Sequence, residues 1–372
     1  MEKIPIIGMM SGTSMDGIDA TLIFTDGISV VRTGIATRKE YSRETKSILN
    51  KAITNPIEYE KNHNLSKLIT LDHFYTVRDL LKKTSVKPNV IGFHGQTILH
   101  NPEKKISIQI GNPQLLCNLT KTNVIYNFRK KDILNNGQGA PLAPIYHLTI
   151  MKEKNIKTPC CVINIGGVSN LTYWDKNKLI GFDCGPGNGL MDMLVQEKLK
   201  INFDKFGNIA SKGNISKYHL DNFMNNRYFK LKYPKSLDRK SFQKEYDIVK
   251  NSDLSLPDKL ATFTQITIES IKKSLLLLPK YPTNVVICGG GQYNRYLIRK
   301  LSSELMSVVQ IIDELKLKGD LIEAELIAFL AGRSLNNLPL TFPLTTGVEK
   351  PISGGELYCI KWLLKDHILY DS

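Results

Sequence analysis

Several short runs in this chain place glycines, hydroxyls and carboxylates where an anion or a sugar could be held. The first is Ser11-Gly12-Thr13-Ser14-Met15-Asp16-Gly17-Ile18-Asp19. Its glycines permit positive φ and close backbone approach, so amide N–H groups can point at an anion. The hydroxyls add donors, and Asp16 and Asp19 offer hard oxygens to a Mg²⁺ ion, directly or through water. No Gly-Lys-Ser/Thr follows, so this is not a Walker loop. The run NIGGVSN, Asn164 to Asn170, repeats that physics with Gly166 and Gly167 at the end of a strand. A third run, ICGGGQYN, sets Gly289, Gly290 and Gly291 between a strand and a helix that opens at Asn294. That is the arrangement of an anion seat at a helix N-terminus. The GxGxxG spacing and a following ribose-reading acid are both missing, which argues against a dinucleotide fingerprint.

A fourth run, GFDCGPGNGLMD, ends a buried strand on Asp183, one residue before Gly-Pro-Gly. A carboxylate there is held rigidly, as a general base must be. It could otherwise cap the helix that starts near Gly189, but Asn188 stands better for that role. FHGQT supplies His94, Gln96 and Thr97, donors and acceptors suited to sugar hydroxyls. NFRKKD with GQGAP supplies Arg129, a fixed fork for carboxylate or phosphate, and Asp132, which could pair with it. Glu323 lies in an apolar helical pattern, where a Glu ordinarily faces solvent.

The elements that position these runs follow from hydrophobic periodicity. Residues 4–10 and 18–24 read as a hairpin whose tip is the first run. Residues 59–82 have helical spacing. A short strand at 90–93 delivers FHGQT, and strands follow at 106–110 and 124–126. Residues 143–151 can be helical. Strands at 161–165, 171–174 and 179–183 are followed by a helix at 190–199. Residues 200–255 are polar and rich in Lys and Asn, with a helix near 217–224. A strong amphipathic helix spans 260–278, then a strand at 285–288, a helix at 294–305, a strand at 308–312 and a helix at 321–335. The closing stretch is 362–369. Hairpins come first and strand–glycine–helix units later, which predicts an α/β fold with mixed sheets. The glycine-rich hairpin turns at 11–17 and 166–170 are coarsely alike. Two related halves of this kind would place a nucleotide in the cleft between them.

Composition narrows the field. With 372 residues, 42% hydrophobic and 23% charged, disorder, collagen and coiled coil are excluded. The net charge of +15 invites a nucleic-acid reading. However, Lys outnumbers Arg about four to one, the pattern of a solvated surface rather than of a bidentate base reader. The six cysteines include no CxxC pair, and no long apolar segment opens the chain. The expectation is a cytoplasmic protein without disulfides.

SGTSMDGIDA, FHGQT, NFRKKD with GQGAP, NIGGVSN, FDCGPGN and CGGGQYN occur in the order found in the anhydro-N-acetylmuramic acid kinases. The chain resembles that family from Gly8 to about Tyr358. The resemblance implies a two-domain actin/hexokinase/Hsp70-like (ribonuclease H-like) α/β fold with mixed sheets around an ATP cleft. The domains would be 1–127 with about 336–372, and 128–335. It implies that ATP with Mg²⁺ and a small amino sugar are the partners, with neither nucleic acid nor membrane and with room for a homodimer. Asp183 falls on the catalytic base. Gly12, Thr13, Ser14, Met15, Asp16, Gly17, Ile18 and Asp19 fall on the ATP-binding segment, with Gly166, Gly167, Gly289, Gly290 and Asn294 as further nucleotide contacts. Arg129 and Glu323 fall on the sugar region, beside His94, Gln96, Thr97 and Asp132. The reaction implied is opening of a 1,6-anhydro ring by water with phosphorylation of O6, in cell-wall recycling. Departures are Asn112, Asn127 and Asn136, where acid, acid and Gly are more usual, and Phe329 in place of a frequent Trp. The competing chemistry is an ATP-independent glycoside hydrolase using Asp183 and Glu323.

Overall fold

The computed structural model describes residues 1–12, 17–238 and 241–360. Thr13, Ser14, Met15 and Asp16, then Arg239 and Lys240, and the closing stretch 362–369 lie outside the described residues. The chain forms two compact units. One is Met1–Tyr146 with Leu321–Pro343 and the chain from Gly347; the other is His147–Asp320 with Leu344–Thr346. The first crossing therefore lies at Tyr146/His147, later than the expected 127/128. The helix Ile322–Leu335, expected in the second unit, belongs to the first.

The first unit is built on β1 (Ile4–Ser11), β2 (Gly17–Thr25), β3 (Val30–Glu40), β4 (Val90–Asn101), β5 (Ile106–Ile110) and β6 (Asn123–Tyr126). The spatial order is β3-β2-β1-β4-β6, with β5 folded back on β4 and the short strand Glu356–Tyr358 beyond β6. β1-β2-β3 run antiparallel, while β1, β4 and β6 are parallel neighbours. Alternating apolar residues of β1, β2 and β4 bury Ile7, Met9, Ala20, Leu22, Ile91 and Phe93 in one cluster. The helix Ile322–Leu335 packs closely because two strand positions are glycine. A Cβ on Gly8 would run into the Ala324 backbone, and one on Gly92 would lie 2.7 Å from the Ile327 carbonyl. The helix at 59–82 is observed as His63–Leu81, started by Asn62 Oδ1 accepting from Leu65 N at 2.8 Å.

The second unit carries β7 (Cys160–Ile165), β8 (Val168–Trp174), β9 (Leu179–Pro186), β10 (Asn284–Cys288) and β11 (Val308–Ile311). Their order is β11-β10-β7-β8-β9. β7-β8-β9 are antiparallel, and β10 is parallel to both β7 and β11. The helix Leu256–Leu276 buries Ile268, Ile271 and Leu275 against Ile163, Leu171, Phe182 and Ile287. A second cluster, including Leu190, Leu194, Phe223, Phe229, Phe242 and Phe263, organises the stretch that reads as polar in sequence. Its aromatic residues are spaced irregularly, so no period announces them; Phe229 and Phe242 stack with ring centroids 5.4 Å apart.

Both sheets therefore share one strand order and one pattern of directions. This is the actin/hexokinase/Hsp70-like pattern that the resemblance implied. Among the described residues no helix is long and apolar enough to cross a membrane.

Candidate active site

Asp183 is buried, with 7% of its surface exposed, near the carboxyl end of β9. Its backbone N donates to Lys235 O at 3.0 Å, and its carbonyl accepts from the Tyr228 hydroxyl at 2.6 Å. Its Oδ2 accepts from Leu237 N at 2.8 Å. The segment from Tyr228 to Leu237 thus straps the residue at three atoms. Lys235 is itself buried; its ammonium lies 4.5 Å from the Tyr228 ring centroid and donates to Tyr228 O at 3.3 Å. Burial lowers the Lys235 pKa, opposed by Cys184 and Asp183. Burial, and then the charge of Asp183, pushes the Tyr228 hydroxyl up. Nothing in the local sequence signals this strap, because two of its three contacts with Asp183 are made by backbone atoms, those of Lys235 and Leu237.

Three glycine runs meet beside Asp183. Gly187 N and Gly189 N donate to Gly167 O at 3.0 and 3.2 Å, and Asn188 N donates to Gly166 O at 2.7 Å. A Cβ on Gly187 would run into the Gly166 carbonyl, and one on Gly189 would lie 2.7 Å from the Gly167 carbonyl. Gly289 adopts φ +76°, and a Cβ there would overlap the Asn164 side chain. Gly290 has only Asn188 Nδ2 near its missing Cβ, at an ordinary 3.7 Å, so a ligand could approach its backbone. Asp183, Gly166, Gly167, Gly289 and Gly290 are therefore brought together within the second unit.

One expectation is corrected here. Asn188 does not cap the helix Gly189–Leu199. Its own backbone is already helical, and its side-chain amide turns to Ile165 O at 3.5 Å instead. Asn294 does cap a helix, accepting from Leu297 N at 3.1 Å, so its carbonyl oxygen is used locally to start Arg295–Glu304.

In the first unit FHGQT lies within β4 rather than after it, because β4 continues to pair with β5. His94 is buried. Its Nδ1 contacts Gly95 O at 3.1 Å, and its Nε2 accepts from Arg129 Nε at 3.1 Å. Those partners fix the neutral Nδ1–H tautomer. Burial, and then the Arg129 charge, holds its pKa down at about 3. Arg129 also donates from Nη1 to Gly139 O at 2.7 Å, while Asp132 Oδ1 accepts from Gly139 N at 2.7 Å. Arg129 and Asp132 thus grip opposite sides of one peptide turn, and His94 positions the guanidinium. Gln96 is fully buried; its Oε1 accepts from the Tyr41 hydroxyl, and its Nε2 donates to Gly12 O at 3.2 Å and Thr97 O at 3.1 Å. Ser11 Oγ donates to Gly95 O at 3.2 Å. Gln96 and Ser11 therefore anchor the entry to the first hairpin turn. Thr97 is half-buried, with its hydroxyl 3.4 Å from Gln109 Nε2.

On the far side of that turn Gly17 pairs with Glu40, and Asp19 lies 4.0 Å from Arg38 across the strand pair. The Ile18 side chain is fully buried in the core, so only its backbone can serve a ligand. Glu323 is half-buried in the first turn of Ile322–Leu335. Two residues on, Glu325 is buried and accepts from Arg32 Nε at 2.9 Å and from the Tyr146 hydroxyl. Burial and that carboxylate raise the Tyr146 pKa. This buried triad had no counterpart in the sequence reading.

The profile of the anhydro-N-acetylmuramic acid kinase family matches residues 5–360. The chain belongs to this family. A relative from Zymomonas mobilis, named anhydro-N-acetylmuramic acid kinase, is 39% identical over 95% of this chain and 99% of its own length. One of the same name from Bradyrhizobium diazoefficiens is 36% identical over 94% and 97%. A distant likeness, TM-score 0.43 and 13% identity over 90% of this chain and 97% of that one, is to a Clostridium difficile dehydratase activator with bound ADPNP.

As a member of a kinase family the protein is a phosphotransferase that uses ATP. In this anhydro-N-acetylmuramic acid kinase homologue the unusual asparagines take structural roles. Asn112 caps the helix Pro113–Thr120, accepting from Leu115 N at 2.9 Å. Asn127 and Asn136 adopt left-handed φ of 55° and 64°, which Asn tolerates better than most residues. Phe329 is fully buried with its ring 5.2 Å from Tyr146.

Proposed function

We propose that the protein phosphorylates O6 of 1,6-anhydro-N-acetylmuramic acid while water opens the anhydro bridge, giving N-acetylmuramic acid 6-phosphate and ADP. We place this reaction in the cytoplasm, as a step of cell-wall recycling. The observation that carries the reading is Asp183, a buried carboxylate held at three atoms beside interlocked glycine turns.

Asp183 takes a proton from water as the water oxygen bonds to the anomeric carbon. The bond from that carbon to O6 breaks, and O6 takes the γ-phosphoryl group. Because the departing oxygen is also the phosphoryl acceptor, no separate acid is needed. The glycine turns of the second unit and the Gly12–Asp19 segment offer backbone N–H groups to the phosphates. Arg129, its fork fixed by His94, and Glu323 contact the sugar, with Thr97 beside them. Gln96 and Asp132 hold the turns that carry these groups.

Among the described residues no three metal-binding side chains cluster. Mg²⁺ held mainly by phosphates needs only one or two protein carboxylates. Asp16 and Asp19 supply hard oxygens of that kind. The ion, when bound, neutralises charge developing on the transferred phosphoryl group.

Incubation with the anhydro sugar, ATP and Mg²⁺ tests the reading. ADP and sugar phosphate are expected one for one, with no ring opening when ATP is omitted. Ring opening without nucleotide would favour the hydrolase chemistry of Asp183 and Glu323 instead.

A further inference from the structure

Only 4% of Lys235 is exposed, yet among the described residues no carboxylate stands at ion-pair distance from its ammonium. Its hydrogen-bond acceptor there is Tyr228 O, at 3.3 Å. Two aromatic rings share the charge: the Tyr228 centroid lies 4.5 Å away and the Phe182 centroid 5.5 Å. Taking an ammonium out of water is unfavourable unless it is fully paired. A methionine of similar length would fill this place without that penalty. The charge must therefore be judged by what it holds.

It holds a closed ring of hydrogen bonds around Asp183. Asp183 N donates to Lys235 O at 3.0 Å, Lys235 Nζ donates to Tyr228 O, and the Tyr228 hydroxyl donates to Asp183 O at 2.6 Å. Lys235 contributes its carbonyl to one link of this ring and its ammonium to another. Two residues on, Leu237 N donates to Asp183 Oδ2 at 2.8 Å. Two residues back, Tyr233 stacks on Phe182, the chain neighbour of Asp183, with ring centroids 5.4 Å apart. The Lys235 side chain thus ties the Tyr228 end of the strap to the Leu237 end.

We infer that Lys235 is a positioning residue for the reaction: its ammonium, held against the Tyr228 and Phe182 rings, closes the strap and so sets the Leu237 N–H against Asp183 Oδ2. The inference rests on the function proposed above, in which Asp183 takes the proton of the attacking water. A carboxylate fixed at one oxygen keeps one orientation, and a general base must meet its proton in a defined geometry. Without the cation the strap still packs through its rings, but its two ends are no longer tied and the Leu237 amide can shift. Asp183 then spends time in orientations that do not reach the water, which lowers turnover without changing how ATP is held. Lys235 acts through the strap, not by contact with the substrate.

The test compares Lys235→Met, which keeps the length and removes the charge, with Tyr228→Phe, which removes only the link to Asp183 O. In the full chain without ligand, amide exchange at Leu237 should quicken about tenfold or more in Lys235→Met, while β10 amides keep wild-type protection. With the anhydro sugar, ATP and Mg²⁺, kcat of Lys235→Met should fall about 10- to 100-fold, with KM for ATP within about threefold of wild type. Tyr228→Phe should lose less, and the double variant should lose no more than Lys235→Met, since both changes open one ring. The urea midpoint of Lys235→Met should be unchanged or higher, because a buried charge has been removed. A lysine kept only for stability would lower that midpoint and leave kcat of the folded protein intact. Wild-type kcat in either variant, losses that multiply in the double, or unchanged exchange at Leu237 overturns this inference alone. A wild type that does not turn over the anhydro sugar overturns the functional reading, and the role of Lys235 with it, whatever the exchange shows.

Discussion

The two sheets, β3-β2-β1-β4-β6 and β9-β8-β7-β10-β11, are the same drawing made twice, and they differ at their polar ends. In the first, the buried polar groups of β4 are spent within the protein. Gln96 holds Tyr41 and Gly12, and His94 holds Arg129. In the second, the turn Gly166-Gly167 is locked by amides of Gly187, Asn188 and Gly189, while β8 carries Asn170 Oδ1, buried with no hydrogen-bond partner among the described residues, and β9 carries the buried Asp183 carboxylate. A common scaffold thus serves two ends. One sheet positions a loop and a guanidinium; the other presents the buried Asp183 carboxylate.

Substitutions can break that comparison. The largest structural effect is expected for Gly187→Ala, whose Cβ would have to occupy the position of the Gly166 carbonyl. Unit-specific hydrogen exchange should show β7–β9 losing about 3 kcal/mol or more while β1–β4 keep their protection.

Acid should act in the opposite direction. Burial first holds His73 at about 4 and His94 and His100 at about 3 in the first unit; in the second unit it holds His147 at about 3. These folded values lie below the unfolded value near 6.5. The stability they contribute is therefore whole above pH ~6.5 and is lost as pH falls towards 3–4. Each buried imidazole contributes up to ~1.4 kcal/mol per pH unit in that window. At pH 5.5, exchange corrected for intrinsic rate should rise more in β1 and β4 than in β7 and β8. Equal loosening of both would remove this distinction.

Gln96→Ala removes the hydrogen bonds to the Tyr41 hydroxyl and the Gly12 carbonyl. A loss of ~1–3 kcal/mol is expected, with KM for ATP raised several-fold because the first hairpin turn is less well anchored. A thermal melt and steady-state kinetics check both. The smallest effect is expected for Lys61→Gln with Lys67→Gln, both exposed. The pair should change kcat/KM less than about twofold, since the +15 charge is a diffuse field on the surface. A large loss would return that charge to the mechanism.

Strand and helix identities were legible where period and punctuation agreed. The helix Ile322–Leu335 and the strand β10 with its glycines lie within a residue of expectation. β3 was not, because none of its residues is fully buried and it lies at a sheet edge. The FHGQT run was placed past a strand end; pairing with β5 extends the strand through it. As a candidate, Asp183 was legible because a lone acid closes an apolar run just before Gly-Pro-Gly. The strap of Tyr228, Lys235 and Leu237 was not, since Lys235 and Leu237 act through backbone atoms and the Tyr228 hydroxyl meets a carbonyl 45 residues away in the chain. The domain assignment of Ile322–Leu335 failed because the signal for close helix packing sits far away, at Gly8 and Gly92.

The central claim is that Asp183 accepts the proton of the attacking water. Its most direct test is steady-state kinetics of Asp183→Asn with the anhydro sugar, ATP and Mg²⁺, with nucleotide binding measured alongside. The account predicts that kcat falls about 10²–10⁴-fold while affinity for ATP stays within a few-fold of wild type. A variant that turns over at the wild-type rate would contradict it.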